Sequence, residues 1–379
     1  MNMIRNLSMS LYYFTSIAFI MLFISCGENG MTVDPNLDSY PYPEGNIFFT
    51  YPPVGLEGIA IIEPRGNVDV FPKPHAGAIL KYYGVLPTTT PVYAMADGQI
   101  IGVEKYLTDT PLGVLEEHII VIKHSTTLTV KYGHVGKLSE NISSQLPSLT
   151  ERSDEVLTIP VSAGDTIAWV FSYSALDILL MDNSQQLNYL YPEDLGPENR
   201  YSASLPDYFR EPLRSNLLDM SIREEEPRWG KVDYDVAGKM IGIWYYTGNY
   251  NDVHAKQLAI AYNNIHPSRI AICDGYANYD LGVHGSYAII GNEPKPETIG
   301  PESGMIKYEV FLFNSWDHPT DTTFVLNDIS NIDENAQSKG TYLLQMLDME
   351  TLKIEPFYGL KPDEVTDFTE NARIYARKP

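Results

Sequence analysis

The chain has 379 residues, 44% of them hydrophobic, enough for two folded domains and too apolar for a disordered protein. Its formal net charge of −23 repels phosphate, which excludes nucleic acid as a partner and argues against adhesion to anionic lipid headgroups by charge alone. Two cysteines, Cys26 and Cys273, leave little room for a disulfide framework.

Residues 1–25 carry one charge, Arg5, then the apolar run "LYYFTSIAFIMLFIS". That run has the length of a secretory signal core and falls short of the roughly 20 residues that span a bilayer. The flanking "LFISCG" resembles a bacterial lipobox, with Phe23 in place of the usual leucine. The resemblance implies cleavage before Cys26 and lipidation of its sulfur, hence a lipid-anchored protein of the bacterial cell envelope. Gly27 and Glu28 are not the aspartate of lipoproteins retained at the inner membrane, which points to the outer membrane, facing the periplasm or the cell surface. Without Arg5 there remain 25 basic residues against 49 acidic ones, about −24, so the lipid must do the anchoring. With Cys26 acylated, Cys273 in "SRIAICDGY" reads as a buried small hydrophobe.

Residues 26–54, "CGENGMTVDPNLDSYPYPEGNIFFTYPPV", are polar at first and rich in Pro, Gly and Asn, as expected of a tether. Residues 55–183 alternate short β-branched runs with turns, "GIAIIEP", "EEHIIVIKHS" and "TLTVKYGHV" among them, and predict an all-β domain. In "MADGQII", Asp97 and Gly98 make a tight turn. The alternation of Val92 and Ala94 with Ile100 and Val103 predicts a hairpin with one buried face. Residues 184–235 form a connector in which Leu213, Leu217 and Met220 share one face of a short helix. From residue 236 to 379 eight strand-like runs return at near-regular spacing, predicting an antiparallel barrel or sandwich, with the barrel favoured by the count. "GIWYYTGNY", "GMIKYEVF" and "GTYLLQMLDMETLKIEPFYG" resemble calycin-like barrels, in which Trp244 would be a core or barrel-closing aromatic.

Residues 72–182 present "HAGAI", "TTPVYAMADGQII", "VIKHS", "YGHV", "AGDTIAWV" and "ALDILLMD" in that order. These blocks resemble, in register, those of the LytM/lysostaphin-type zinc endopeptidases, β-sheet hydrolases of peptidoglycan peptides. In that family zinc takes the His and Asp of H-x-G-x-D and the second His of H-x-H, while the Y-x-H histidine and the first His of H-x-H assist. Carried over, His75 stands at the first ligand position and His134 at the assisting one, Ile79 replaces the aspartate, and Ala175 and Asp177 fall on H-x-H. An isoleucine has no electron pair to give. Three protein ligands plus a water make a catalytic zinc site, so the resemblance implies a degenerate member in which His75 and Asp177 are the remaining metal-capable pair.

The resulting expectation is a pseudoenzyme that needs no cofactor. Its His75, His134 and Asp177 would line a groove binding peptidoglycan peptides, or a wall amidase or hydrolase, as degenerate domains of this type do when they activate wall amidases. One alternative is an active zinc metallopeptidase with His134 catalytic and a substitute ligand such as Asp69, Glu63 or a barrel residue. The other is a barrel that carries a small apolar ligand. His124 reads as structural, and His118, His254, His266, His284 and His318 have no ligand spacing. No G-x-S-x-G, phosphate-cradling glycine loop or H-E-x-x-H occurs. The 27 tyrosines suit grooves for sugars or peptides.

Overall fold

A computed structural model describes residues 40–69, 71–110, 113–146, 157–171, 175–249, 256–275, 286–291, 294–312 and 337–379, except that 81–88 lie outside it. The signal segment, Cys26 and the tether up to residue 39 fall outside the described residues, as do His254, His284 and His318, while Phe49 and Val54 at the tether's far end are buried in the core. Among the described residues no helix is long and apolar enough to cross a membrane.

The first unit is two sheets packed face to face. Its strands are β1 (Ile59–Glu63), β2 (Ala76–Leu80), β3 (Thr89–Tyr93), β4 (Gly98–Thr110), β5 (Gly113–Lys123), β6 (Leu128–Val135), β7 (Lys137–Leu138), β8 (Ile159–Val161), β9 (Thr166–Phe171), β10 (Ala175–Asp182) and β11 (Ser202–Ala203). The larger sheet runs β1-β2-β10-β6-β5-β4-β8 with β11 added on β10, and the smaller runs β3-β9-β7. Side chains in a strand alternate between faces. Leu128, Val130 and Tyr132 of β6 and Leu176, Ile178 and Leu180 of β10 therefore point together into a core shared with Val92, Ile167 and Val170 of the smaller sheet. The residues between them, Lys131, Gly133 and Asp177, occupy the opposite face, half-buried.

The expected hairpin at Asp97–Gly98 is not formed. β3 pairs with β9, whereas β4 pairs with β5 and β8, so the turn carries the chain from one sheet to the other. Val92, Ala94, Ile100 and Val103 are all buried in the one core, because alternation reports which face is dry and not which strand lies alongside. Gly98 is needed there: a Cβ would stand 2.6 Å from the Lys123 carbonyl oxygen. His124 has the structural role expected. It is buried, its Nδ1 lies 3.1 Å from the Asp97 carbonyl, and burial pulls its pKa down to about 4, so the neutral ring donates this bond.

Three short helices, α1 (Glu140–Ser143), α2 (Pro197–Tyr201) and α3 (Leu213–Asp219), complete this part. Leu217 of α3 is buried in the first unit's core, and Leu213 and Met220 pack against it. The connector thus builds no core of its own.

The second unit is a closed barrel of eight strands: β12 (Gly242–Tyr246), β13 (Gln257–Tyr262), β14 (Ile270–Asp274), β15 (Tyr287–Ile289), β16 (Ile306–Leu312), β17 (Gly340–Met346), β18 (Thr351–Tyr358) and β19 (Arg373–Ala376). Each pairs antiparallel with the next, and β19 closes on β12 through Tyr245↔Ala376 and Tyr246↔Tyr375. Closure removes both sheet edges. Along most of its length the interior is filled by side chains, with Trp244, Leu258, Ile260, Ile272, Val310 and Leu344 all fully buried. A small apolar ligand would have to displace them. Outside, the small residues Ala259, Ala261, Ala271 and Cys273 let Val68 and Tyr234 lie close against β13 and β14, and Cys273 is buried as expected.

Candidate functional site

Strand order brings the three sequence-predicted residues together on the outward face of the larger sheet. β10 lies between β2 and β6, and Asp177 is in register with Gly77 on one side and Gly133 on the other. Neither glycine has a side chain to cover the carboxylate. His75 immediately precedes β2 and reaches Asp177 Oδ2 with Nδ1 at 3.5 Å; His134 reaches the same oxygen with Nε2, also at 3.5 Å. His134 is the one non-glycine residue with positive φ among the described residues, at 59°. That left-handed backbone is one that His tolerates better than branched residues do. Its backbone N–H is held by the Tyr106 hydroxyl at 3.1 Å.

Two participants carry no motif and escape a reading of the sequence. Glu117 of β5 is 1% exposed and accepts from His134 Nδ1 at 2.9 Å and from the Thr108 hydroxyl at 2.7 Å. Tyr106 of β4, in register with Glu117, places its hydroxyl 3.2 Å from the same nitrogen. A signal existed: an acidic pair inside the apolar run "VLEEHIIVI" needs a buried partner for one member. What hides the choice between Glu116 and Glu117 is the bulge opposite β6 between His118 and Ile120, which shifts the facing of the residues before it.

The electrostatics separate the two histidines. Burial works against a charge on His134, but Asp177 and the hydrogen-bonded Glu117 outweigh it and raise the pKa to about 9. His134 is then an imidazolium at neutral pH, with a carboxylate at each nitrogen. Burial dominates at His75, and together with Lys73 and His134 it overcomes the pull of Asp177, so that pKa is lowered. His75 stays neutral. Burial and the Glu117 charge likewise raise the Tyr106 phenol and keep it protonated.

These residues do not fit zinc. His75 and Asp177 are the two metal-capable side chains brought together, and Ile79 at the third ligand position has no electron pair to give, so the pair is one ligand short of a catalytic zinc site. Ala175, in register with Ile79, packs with Ile61 and Ile222 against Ile265 of the barrel, an apolar contact that offers no metal donor. The substitute ligands are engaged elsewhere. Glu63 accepts from Asn67 at 2.9 Å and from Asn264 at 3.1 Å, and Asp69 faces Lys73 at 3.8 Å. Among the described residues no group of three or more His, Cys, Asp or Glu side chains is arranged to hold a metal ion.

The glycine beside Asp177 gives a stability test. A Cβ on Gly133 would sit 3.1 Å from the Asp177 Cβ, tighter than ordinary packing. Gly133→Ala is expected to cost about 1–3 kcal/mol through this crowding and to push the carboxylate off both imidazoles. Urea unfolding measures the cost, and a fall in the His134 pKa by NMR titration reports the displacement.

Of the remaining histidines, His118 is buried and donates from Nδ1 to the Gly136 carbonyl at 3.0 Å, and the backbone N–H of His266 binds the Asn263 side chain at 2.8 Å. Neither belongs to the cluster.

No family model and no curated protein matches this chain. Among solved structures it is similar to a zinc-containing peptidase from Vibrio cholerae, at 18% identity and a TM-score of 0.22, covering 36% of this chain and 38% of that one. It is also similar to an alanine-to-histidine mutant of the catalytic domain of the prophage-encoded M23 protein EnpA from Enterococcus faecalis. There the identity is 14% and the TM-score 0.19, over 43% of this chain and 88% of that one. At these scores neither likeness carries an argument, and the chain spans well under half of the first.

Proposed function

We propose that the first unit binds a wall peptide, or the corresponding face of a wall hydrolase, without cutting it, in a protein held at the bacterial envelope by a lipid on Cys26. One observation carries the reading: Asp177 is held between His75 and His134 at 3.5 Å from each, His134 is held in turn by Glu117 at 2.9 Å, and the third ligand position is an isoleucine. The His134 ring, with a carboxylate at each nitrogen, holds Asp177 in place on an open glycine-flanked stretch of sheet. His75 and Asp177, each about a quarter exposed, offer the Nε2 acceptor of a neutral imidazole and a carboxylate with its negative charge to an extended chain laid across β2, β10 and β6. The anchor rests on the sequence of residues 1–28 alone.

Calorimetric titration of the detergent-solubilised full chain with purified muropeptides, paired with chromatography of the products, tests this reading. The expected result is saturable binding with no new product, insensitive to chelator. His75→Ala and Asp177→Asn are each expected to weaken it at least tenfold, about 1.4 kcal/mol. Cleaved peptide, or stoichiometric zinc that is lost on His75→Ala, would overturn it.

A further inference from the structure

The outward face that carries Asp177 ends at the barrel. Glu63 of β1, Gly77 of β2, Asp177 of β10 and Gly133 of β6 form one row across the larger sheet, each in register with the next. At the β1 end of this row lies the turn between β13 and β14. Asn264 donates from its side-chain amide to Glu63 Oε1 at 3.1 Å and to the Pro64 carbonyl at 2.8 Å. Two residues along the strands, Ile265 of the same turn packs on Ile61, with Ala175 and Ile222 beside it. The turn is also held from within and from behind. Asn263 Oδ1 accepts the backbone N–H groups of Ile265 and His266 at 3.0 and 2.8 Å, and the Asn264 carbonyl accepts from Arg223 Nη1 at 2.8 Å. Asn263, Asn264, Ile265 and Arg223 are all buried, so the barrel presents a fixed wall to the sheet.

That wall limits what can lie across the row. Neighbouring strands are about 4.8 Å apart, which puts the backbone of Asp177 about 10 Å from that of β1, under the wall. A chain that enters over β6 and passes Asp177 meets Asn264 within about three extended residues. The groups that face it there are acceptors. His134 turns one nitrogen to Glu117 and the other to Asp177 Oδ2, and His75 turns Nδ1 to the same oxygen. Asp177 Oδ1 lies instead on the Gly77 side, where a Cβ would stand 3.7 Å from it. The neighbouring cations Lys73 and Lys131 each face a carboxylate of their own, Asp69 at 3.8 Å and Glu198 at 2.7 Å. A positively charged donor complements this end of the row, whereas a carboxylate would meet another carboxylate.

We propose that the groove is blind at the barrel side and takes a peptide chain that ends in a primary ammonium, seated against Asp177, with Asn264 and Ile265 setting how far the chain runs past it. This rests on the reading of the first unit as a peptide-binding module and adds which part of the peptide it holds. The ammonium donates to Asp177 Oδ1 and to His75 Nε2, and the chain behind it leaves over Gly133. The amino end of a released peptide and the side-chain amine of a diamino acid share this chemistry. The barrel turn acts as a specificity determinant by length, not by sequence.

The test is a calorimetric titration of the detergent-solubilised full chain with muropeptides carrying a free side-chain amine and with stem peptides released from the glycan, which carry a free amino end. Each is also used with its amines acetylated, and the tighter of the two with a tetraglycyl extension on the amine that acetylation identifies. At least one free-amine form is expected to bind saturably, and acetylation and extension are each expected to weaken it tenfold or more. Asp177→Asn should cut the penalty of acetylation to less than threefold. Ile265→Ala should do the same for the penalty of extension while holding the unextended peptide within threefold of the natural chain; Asn264→Ser opens the wall in its place if Ile265→Ala does not fold. The proposal is overturned, with the peptide-binding reading intact, if acetylated or extended peptides bind as tightly as free ones, or if opening the wall leaves the extension penalty unchanged. Binding by none of these ligands would overturn both.

Discussion

Between pH 6.5 and about 9.5 the folded chain is expected to lose on the order of 2–3 kcal/mol of stability through His134 alone. The ring's pKa rises from 6.5 to about 9 on folding, and each unit is worth about 1.4 kcal/mol. The side chain is 26% exposed, which trims the product of those two figures. The sign follows from the direction of the shift. A raised folded pKa gives stability that is fully present below the unfolded value and is lost as pH climbs through the folded one. Urea midpoints at half-unit intervals measure the slope. His134→Asn, chosen because asparagine accepts a positive φ, should flatten it. Glu117→Gln keeps a hydrogen-bonding side chain without its charge and should move the loss to lower pH, with a lower His134 pKa by NMR. An unchanged slope in His134→Asn would show that no imidazolium is held between Glu117 and Asp177.

Arg377→Ala is expected to have the largest effect on stability of any single substitution named here, about 3–5 kcal/mol. Its guanidinium is fully enclosed. It donates to the carbonyls of Lys239, Ile241 and Ile243 and to Asp235 Oδ1 at 3.2 Å, and it lies over the Trp244 ring at 3.7 Å. Burial pulls the Arg377 pKa down to about 10 and pushes that of Asp235 up, so for both groups the loss of water outweighs the partner's charge. The pair is therefore no large net stabiliser, yet losing one member strands the other. Asp235 still receives the backbone N–H groups of Ile243 and Leu190, and Gly242, at φ 118°, leaves the room in which it sits. Denaturation by urea should show Arg377→Ala well below Asp235→Asn with Arg377→Met, the double variant recovering part of the loss because no charge is left buried. Equal losses in the two would contradict this account.

Much of the fold was legible in the residues, because burial has a period. Short β-branched runs such as "EEHIIVIKHS" and "TLTVKYGHV" were enough to expect an all-β first domain, and they form β5 and β6. Eight regularly spaced runs after residue 236 were enough to expect an antiparallel barrel, and one is formed. The short helix with Leu213, Leu217 and Met220 against the core was equally visible. The hairpin at Asp97–Gly98 was misread for a reason of the same kind: one-dimensional alternation cannot distinguish a turn within a sheet from a turn between two sheets.

For the candidate site, residue types and order sufficed to single out His75, His134 and Asp177 and to note that Ile79 cannot ligate. Glu117 and Tyr106 could not be found that way. They lie on strands that reach His134 only through a register with a bulge in it, and register is a property of paired chains. The composition and sequence alone determined a β-rich, strongly acidic chain. Only the tertiary structure decided that His134 is charged, because its pKa depends on two carboxylates contributed by β5 and β10. It likewise decided that Asp274 and Arg373 meet inside the barrel, since a ring closed by β12 and β19 brings together side chains that are far apart along the chain.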